Sequence, residues 1–337
     1  MKAIVTGATG FLGANLVREL LQQNIDVTCI LRKPNLAIED LVQTNAIDVL
    51  EIPLLDNPRQ VTDLAKAMEG ADVVFHLAGI FDPSPEGLQR MTNLHIFSTR
   101  ALLRATEMAK VPRFVHCSSS ITVGFGSKTS LGTEDTLLDP MVYGESGPLR
   151  HYYNTKKQSE KMVLGWEGLD TVVVNPDYIL GPWDIKPTSG QLILSMMRGY
   201  IPVYPNGGKC FLGAKDCAKA HIAAWQKGKK GQRYLLGYHN HSYQEIMEKI
   251  ATTIGTRSPP KLAIPHSLTP WMAKIGNVIS SVQPEKWAGL NGYVLQSMQE
   301  ERYRSGEKMC TELGIKPEPI ENSIAEAVRW FRDHNYT

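Results

Sequence analysis

Apolar positions along this chain form short β-favouring runs that alternate with stripes at helical spacing. Lys2-Ala3-Ile4-Val5 is too brief for an amphipathic helix and reads as a first strand. Behind it, Phe11, Leu12, Leu16, Val17, Leu20 and Leu21 recur with helical period, so a packed helix follows. The same reading places strands at 25–31, 47–55, 71–79, 113–117 and 170–179, with helices over 61–68 and 87–109 and another beginning near Tyr152. Strand–helix alternation of this kind predicts an α/β chain with a doubly wound parallel sheet. Beyond residue 175, Pro182, Pro187, Pro202, Pro205 and Gly207-Gly208 break the chain into short pieces. Helices are expected there at 191–198, 215–226, 243–254, 269–279, 306–313 and 320–334. Residues 1–175 therefore read as the sheet domain, completed by a returning strand near 233–237. Residues 176–337 read mainly as a smaller, interleaved C-terminal substrate lobe.

Between the first strand and the first helix lies Thr6-Gly7-Ala8-Thr9-Gly10-Phe11-Leu12-Gly13. A glycine-rich turn in this position suits a Rossmann-type dinucleotide site. Gly7 lets the backbone turn tightly, Gly10 lets it approach a pyrophosphate, and Gly13 lets the helix lie close on the sheet. Gly7, Thr9, Gly10, Phe11, Leu12 and Gly13 are thus the expected phosphate contacts, at a helix N-terminus whose N–H groups are free. The end of the second strand selects between cofactors, because a carboxylate there binds the adenosine ribose and a basic side chain accommodates a 2′-phosphate. Leu31-Arg32-Lys33-Pro34 offers no carboxylate, so Arg32 and Lys33 favour NADPH over NADH. The plainer reading is that both are ordinary surface cations beyond a strand. Leu77-Ala78-Gly79 ends another strand in small residues, which lets a cofactor pass over the carboxyl edge of the sheet.

Candidate chemistry follows in two places. Ser118, Ser119 and Ser120 stand at the end of the strand Arg113–Cys117, where serines are ordinarily turn residues. Tyr152 and Lys156 are four apart on a helix and share a face, as do Tyr153 and Lys157. A phenol with an unperturbed pKa near 10 exchanges protons poorly at neutral pH. A neighbouring ammonium stabilises the phenolate and is expected to lower that value. A serine hydrolase fails on pattern, since no glycines flank the serines as in a nucleophile elbow.

Charge and composition narrow the partners. With 36 basic and 34 acidic residues among 337, a formal charge of +2 gives no electrostatic case for nucleic acid or an anionic membrane. Cys29, Cys117, Cys210, Cys217 and Cys310 lack a CxxC pair, so neither a disulfide framework nor a zinc site is expected. His239 and His241 have metal-like spacing without a third ligand nearby, and no metal is expected. The apolar stretches break before spanning length and no charged and apolar leader precedes the first strand. A soluble protein of the reducing cytoplasm is the expectation.

Taken together, TGATGFLG, LRKP, HLAG, FVHCSSS, the YxxxK pair, and Asn175-Pro176 with Gly181-Pro182 stand in the order seen in one family. The chain resembles an extended short-chain dehydrogenase/reductase of the NAD-dependent epimerase/dehydratase superfamily, in its dihydroflavonol-reductase-like branch. Relatives place Ser or Thr before the lysine and Glu four residues after it; Thr155, Lys156 and Glu160 match, which selects the Tyr152 register. The resemblance implies that Ser119 binds the substrate oxygen, with Ser120 as the alternative register. It implies that Tyr152 exchanges a proton with that oxygen, and that Lys156 holds the nicotinamide ribose and tunes Tyr152. It also implies that Leu77, Ala78, Gly79, Cys117, Pro176 and Ile179 line the cofactor.

Two departures stand out. His95 occupies the position where relatives carry a catalytic-site Asn, either as a proton relay or as a packed histidine. Pro53 replaces an Asp that contacts adenine, leaving Leu54 and Leu55 to meet the base. The expected activity is an NADPH-dependent reductase delivering hydride to a ketone or aldehyde; the oligomeric state is left open, a homodimer being what the resemblance offers, since relatives often dimerise through the long helices before and after the serine strand. The alternatives are a sugar-nucleotide epimerase or dehydratase with tightly held NAD(P), and a cofactor-binding sensor or scaffold without turnover. Val173 and Val174 stand where many epimerases carry an Arg before the strand Asn, which disfavours the first of these.

Overall fold

The structure, a computed structural model, describes residues 1–199, 201, 203–255, 259–265, 267 and 297–336. The helix expected at 269–279 lies outside the described residues. In chain order the strands are β1 (Lys2–Thr6), β2 (Asp26–Leu31), β3 (Asp48–Glu51), β4 (Val73–His76), β5 (Arg113–Cys117) and β6 (Asp170–Pro176). They continue with β7 (Tyr178–Leu180), β8 (Val203–Tyr204), β9 (Gly208–Gly213), β10 (Arg233–Leu236), β11 (His239–Ser242), β12 (Leu262–Ala263) and β13 (Glu301–Arg302). Seven of them make one sheet in the order β10-β6-β5-β4-β1-β2-β3, every neighbouring pair parallel. This is the doubly wound α/β arrangement that the patterning predicts, and its strand order reverses beside β1.

Helices cover both faces. The first are α1 (Phe11–Gln22), α2 (Glu39–Gln43), α3 (Pro58–Ala67), α4 (Pro85–Thr92), α5 (Ser98–Met108) and α6 (Pro148–Leu164). Then come α7 (Gln191–Met197), α8 (Ala214–Lys227), α9 (Tyr243–Ile254), α10 (Glu307–Glu312) and α11 (Ile320–Asp333). Leu16, Val17 and Leu20 of α1 and Ala218 and Ile222 of α8 pack on one face with Ala3, Val5 and Phe75. Val61 and Leu64 of α3, Leu102 of α5 and Val163 of α6 pack on the other with Ile4, Val74 and Phe114. Covered on both sides, the central strands carry continuous apolar runs instead of alternating ones.

Three of the helices start at a side-chain cap. Asn57 accepts from Gln60 N–H ahead of α3, Ser84 accepts from Gly87 N–H ahead of α4, and Ser242 forms a capping box with Glu245 at α9. The strand expected over 47–55 stops at Glu51, with Pro53, which has no N–H to offer a sheet, just beyond. The strand expected over 170–179 divides after Pro176, and Tyr178–Leu180 joins a second, smaller sheet with β9, β11 and β13. These strands run two to six residues each and leave little periodicity to read. A third apolar cluster, with Leu194, Phe211, Ile246, Ile324 and Phe331, holds α7, α9 and α11 around that sheet. Among the described residues no helix is long and apolar enough to cross a membrane.

Candidate active site

The carboxyl edge of the large sheet gathers most of the residues singled out above. Gly7 has φ +79°, and a Cβ there would lie 2.5 Å from the backbone nitrogen of Ala78 at the end of β4. A Cβ on Gly13 would stand 2.1 Å from the Gly7 carbonyl oxygen. Only glycine allows the turn, the β4 end and the start of α1 to come this close. Gly10 is the N-cap of α1 and supplies no side-chain cap, and the first turn holds no acidic residue. The N–H groups of Phe11, Leu12 and Gly13 are thereby left for an anion.

Arg32 and Lys33 are exposed just past β2, on an arch of three residues between Leu31 and Asn35. The far foot of the arch is pinned: Asn35 Nδ2 donates to the Thr9 carbonyl at 3.0 Å, and Ala37 N–H donates to Asn35 Oδ1 at 3.1 Å. The sequence reading overlooked Asn35, whose only signal is its place in the loop. Leu54 packs on the core, and its carbonyl accepts from Ser98 Oγ at 2.6 Å, while the Leu55 side chain is exposed.

Ser119, Tyr152 and Lys156 come together where β5 ends against α6. The three serines differ in environment. Ser118 Oγ donates to Glu160 at 2.7 Å, and Ser120 is buried at the start of a 3-10 turn. Ser119 is half-buried and its hydroxyl lies beside the Tyr152 phenol. Lys156, almost fully buried, donates from Nζ to the Cys117 carbonyl at 3.2 Å. Gly79 leaves room for that ammonium, since a Cβ there would stand 3.1 Å from Lys156 Nζ. Tyr153 and Lys157 turn elsewhere: Tyr153 packs on Tyr143 with ring centroids 5.6 Å apart, and Lys157 Nζ donates to the Thr122 carbonyl at 3.3 Å.

Charge in the site differs from expectation in one respect. Burial pushes the Tyr152 phenol up to about 12, with the Ser119 hydroxyl pulling the other way. The anticipated lowering by Lys156 is not found: burial of the phenol dominates, and the group that lowers it is the Ser119 hydroxyl rather than the ammonium, which donates to the Cys117 carbonyl. Burial likewise lowers Lys156 and pushes the Cys117 thiol up to about 11, so the thiol is not a nucleophile.

His95 sits in a π-helical turn, Asn93–Phe97, that joins α4 to α5. Such a turn inserts a residue and re-aims the side chains around it. His95 Nε2 accepts from Ile80 N–H at 3.2 Å, so the ring proton is on Nδ1, which donates to Thr155 Oγ1 at 2.9 Å. Thr155 in turn donates to the Tyr152 carbonyl at 3.1 Å. Burial and the nearby Lys156 charge hold His95 down at about 2, hence neutral. Its ring packs on Tyr152 edge to face at 5.5 Å. His76 is likewise a locked core residue between Thr6 and Thr99.

Glu160 is a buried hub. Its Oε2 accepts from Ser118, Thr122 and Asn175 at 2.7, 2.6 and 2.7 Å, and its Oε1 accepts from Arg233 at 2.9 Å. It thereby ties α6 to the serine loop, β6 and β10. Arg304, 2 % exposed, performs a similar task from the C-terminal lobe, donating to the carbonyls of Ser120, Val123 and Gly124 and pairing with Asp177 at 2.5 Å. Tyr143 and Trp183 serve packing: Tyr143 is buried and donates to the Ile121 carbonyl, and Trp183 lies against Trp330 and Arg18. His239 donates to the Glu318 carbonyl, and among the described residues no three His, Cys, Asp or Glu side chains are grouped to hold a metal.

Comparison with known proteins gives the family. The chain is similar to a putative dihydroflavonol 4-reductase of Synechocystis, 31 % identical over 98 % of this chain and 95 % of that one. It is similar to the sterol demethylase protein B of Methylococcus capsulatus, 29 % identical over 99 % of both. The structure of a UDP-glucuronic acid 4-epimerase from Bacillus cereus, in complex with UDP-glucuronic acid and NAD, shares the fold with a TM-score of 0.74 at 19 % identity, covering 99 % of this chain and all of that one. The model of the NAD dependent epimerase/dehydratase family matches residues 3–237. The chain therefore belongs to that family, within the extended short-chain dehydrogenases/reductases, and is an NAD(P)-dependent enzyme.

Proposed function

We propose that this protein is an NADPH-dependent reductase of a ketone or aldehyde. The observation that carries the reading is the meeting of Ser119, Tyr152 and Lys156 at the carboxyl edge of the sheet, beside an uncapped helix N-terminus. The residues fit a dinucleotide: Gly7 to Gly13 hold the pyrophosphate, Arg32 and Lys33 the 2′-phosphate, and Leu54 and Leu55 the adenine. Leu77 to Gly79, Cys117, Pro176 and Ile179 line its path toward Lys156. Bound NADPH supplies the hydride.

Ser119 donates a hydrogen bond to the substrate oxygen and fixes its place. Tyr152 gives its proton to that oxygen as negative charge develops there. A phenol held at about 12 is fully protonated at neutral pH, which is the state a proton donor needs. Lys156, directed toward the cofactor side past Gly79, holds the nicotinamide ribose and contributes positive charge next to the developing alkoxide. His95 serves by position: both ring nitrogens are spent on Ile80 and Thr155, so it keeps the β4 loop and α6 at a fixed distance. Phe81, half exposed and packed on Tyr152 at 5.4 Å, offers an apolar surface beside the reacting oxygen and favours a substrate with an apolar body.

The test is NADPH consumption across ketones, aldehydes and keto-sugars, with NADH in parallel. Tyr152→Phe is expected to lower kcat by about 10³-fold while cofactor affinity stays within about twofold. Unchanged turnover in that variant would remove the mechanism. A purified protein that retains stoichiometric oxidised cofactor and consumes none would replace the reductase with a redox-neutral epimerase.

A further inference from the structure

Arg18, on the outer side of α1, is absorbed by neither the fold nor the proposed chemistry. Its guanidinium makes three kinds of contact at once. Nη1 donates to the Ala37 carbonyl at 2.7 Å and to the Ala14 carbonyl at 3.3 Å, and Nη2 pairs with Asp40 at 2.7 Å. Its Cζ lies over the Trp183 ring, 3.5 Å from the centroid. Trp183 belongs to the other lobe, and it holds a left-handed backbone, φ +74°, that a bulky side chain rarely adopts. Trp330 and His334 of the C-terminal segment pack on it, with centroids at 5.9 and 6.0 Å, and Asn15 of α1 donates to the adjoining Pro182 carbonyl at 2.9 Å.

What Arg18 grips is the return of the cofactor-selecting arch. Ala37 and Ile38 are fully buried, and Ala37 N–H is bonded to Asn35, whose amide is bonded in turn to Thr9 of the phosphate turn. The arch 32–34 therefore hangs between the end of β2 and a foot that Arg18 clamps. Arg32 and Lys33 are long side chains whose contact with a phosphate depends on where the arch places their Cα atoms. A ligand without a 2′-phosphate makes no demand on the arch.

We propose that Arg18 is a specificity-determining positioning residue: backed by Trp183 of the second lobe, it sets the arch that discriminates NADP from NAD. The proposal rests on the reading of Arg32 and Lys33 as the 2′-phosphate site. It makes cofactor preference depend on a tryptophan from the substrate lobe, on the side of α1 away from the reacting groups.

The experiment measures dissociation constants of the full-length protein for NADP⁺, NAD⁺ and adenosine 2′,5′-bisphosphate in wild type, Arg18→Met, Arg18→Lys and Trp183→Leu. Arg18→Met is expected to weaken NADP⁺ and the bisphosphate by about tenfold and NAD⁺ by less than about twofold. Trp183→Leu should shift the ratio the same way by a smaller factor, and Arg18→Lys should recover part of it, since an ammonium keeps the charge but not the planar fork. Loss of fold would weaken both dinucleotides in parallel. Asp40→Asn, at an exposed position that touches only the ion pair, provides the milder perturbation should Arg18→Met not fold, with a shift in the same direction. A wild type that prefers NADP⁺ while every variant keeps its ratio overturns the role of Arg18 alone. A wild type without preference overturns the 2′-phosphate reading and this proposal with it.

Discussion

In the proposed mechanism His95 stands beside Tyr152 as a positioning residue and not as a proton relay. Its Nε2 already accepts from Ile80 N–H and its Nδ1 already donates to Thr155, so a relay would have to break one of those bonds. With its pKa held down at about 2, it also stays neutral throughout the range where histidines normally titrate. The pH profile of kcat/KM should therefore show no limb from His95 between pH 5 and 8. Replacing it with Gln is expected to lower kcat by about tenfold and raise the KM for cofactor, because leaving Ile80 N–H unpaired costs about 1–3 kcal/mol of local order. The profile's shape should not change. A limb near pH 6 that disappears in His95→Gln would establish a relay instead.

Among the elements, α6 and the loop after β5 depend on each other. The YxxxK face of α6 is readable from sequence because helical neighbours lie within one turn, and the glycine turn is readable because its parts are contiguous. Glu160 is different. Its place after the Tyr–Lys pair marks the family's register, yet its partners Thr122 and Arg233 lie 38 and 73 residues away, and nothing local announces them. Arg304 reaches back 184 residues to the Ser120 carbonyl, and Arg18 meets Trp183 only because the lobes interleave. The π turn that carries His95 is also invisible to periodicity, since 87–109 reads as one continuous helix. The second sheet is lost for the same reason: its strands are too short to repeat a pattern. Glu160→Ala should expose the dependence. It strands the Arg233 guanidinium and three further donors, so the expected loss is about 3 kcal/mol in urea unfolding, with turnover falling more than stability predicts as the serine loop shifts. A loss under about 1 kcal/mol with normal turnover would show that Arg304 holds the loop unaided.

Over the whole molecule, a set of buried neutral histidines should make the fold sensitive to mild acid. His76 is held down at about 3, His95 at about 2, His221 at about 4 and His116 well below its ordinary value, in each case chiefly by burial. The unfolded chain protonates each near pH 6.5, whereas the folded chain resists until far lower. Between those limits the unfolded state binds more protons, so stability falls as pH falls. The contribution is complete above about pH 6.5 and shrinks as the pH drops toward the folded values. One unit below 6.5, each histidine costs about 1.4 kcal/mol, and four together cost roughly 5–6 kcal/mol, comparable with the whole stability of an ordinary domain. Asp184 acts in the opposite sense. Burial raises it to about 6, so its contribution grows as pH falls from neutrality toward its unfolded value; Asp216, also raised by burial, acts with it, while His241, lowered by burial, adds to the acid sensitivity. Urea midpoints at pH 7.5, 6.5 and 5.5 should therefore drop steeply over the last unit. His221→Leu should flatten the slope by about one proton, because His221 lies in α8 away from the reacting groups and its Nε2 has no partner to lose. A midpoint that stays constant down to pH 5.5 would mean that these histidines open to water and titrate normally in the folded protein.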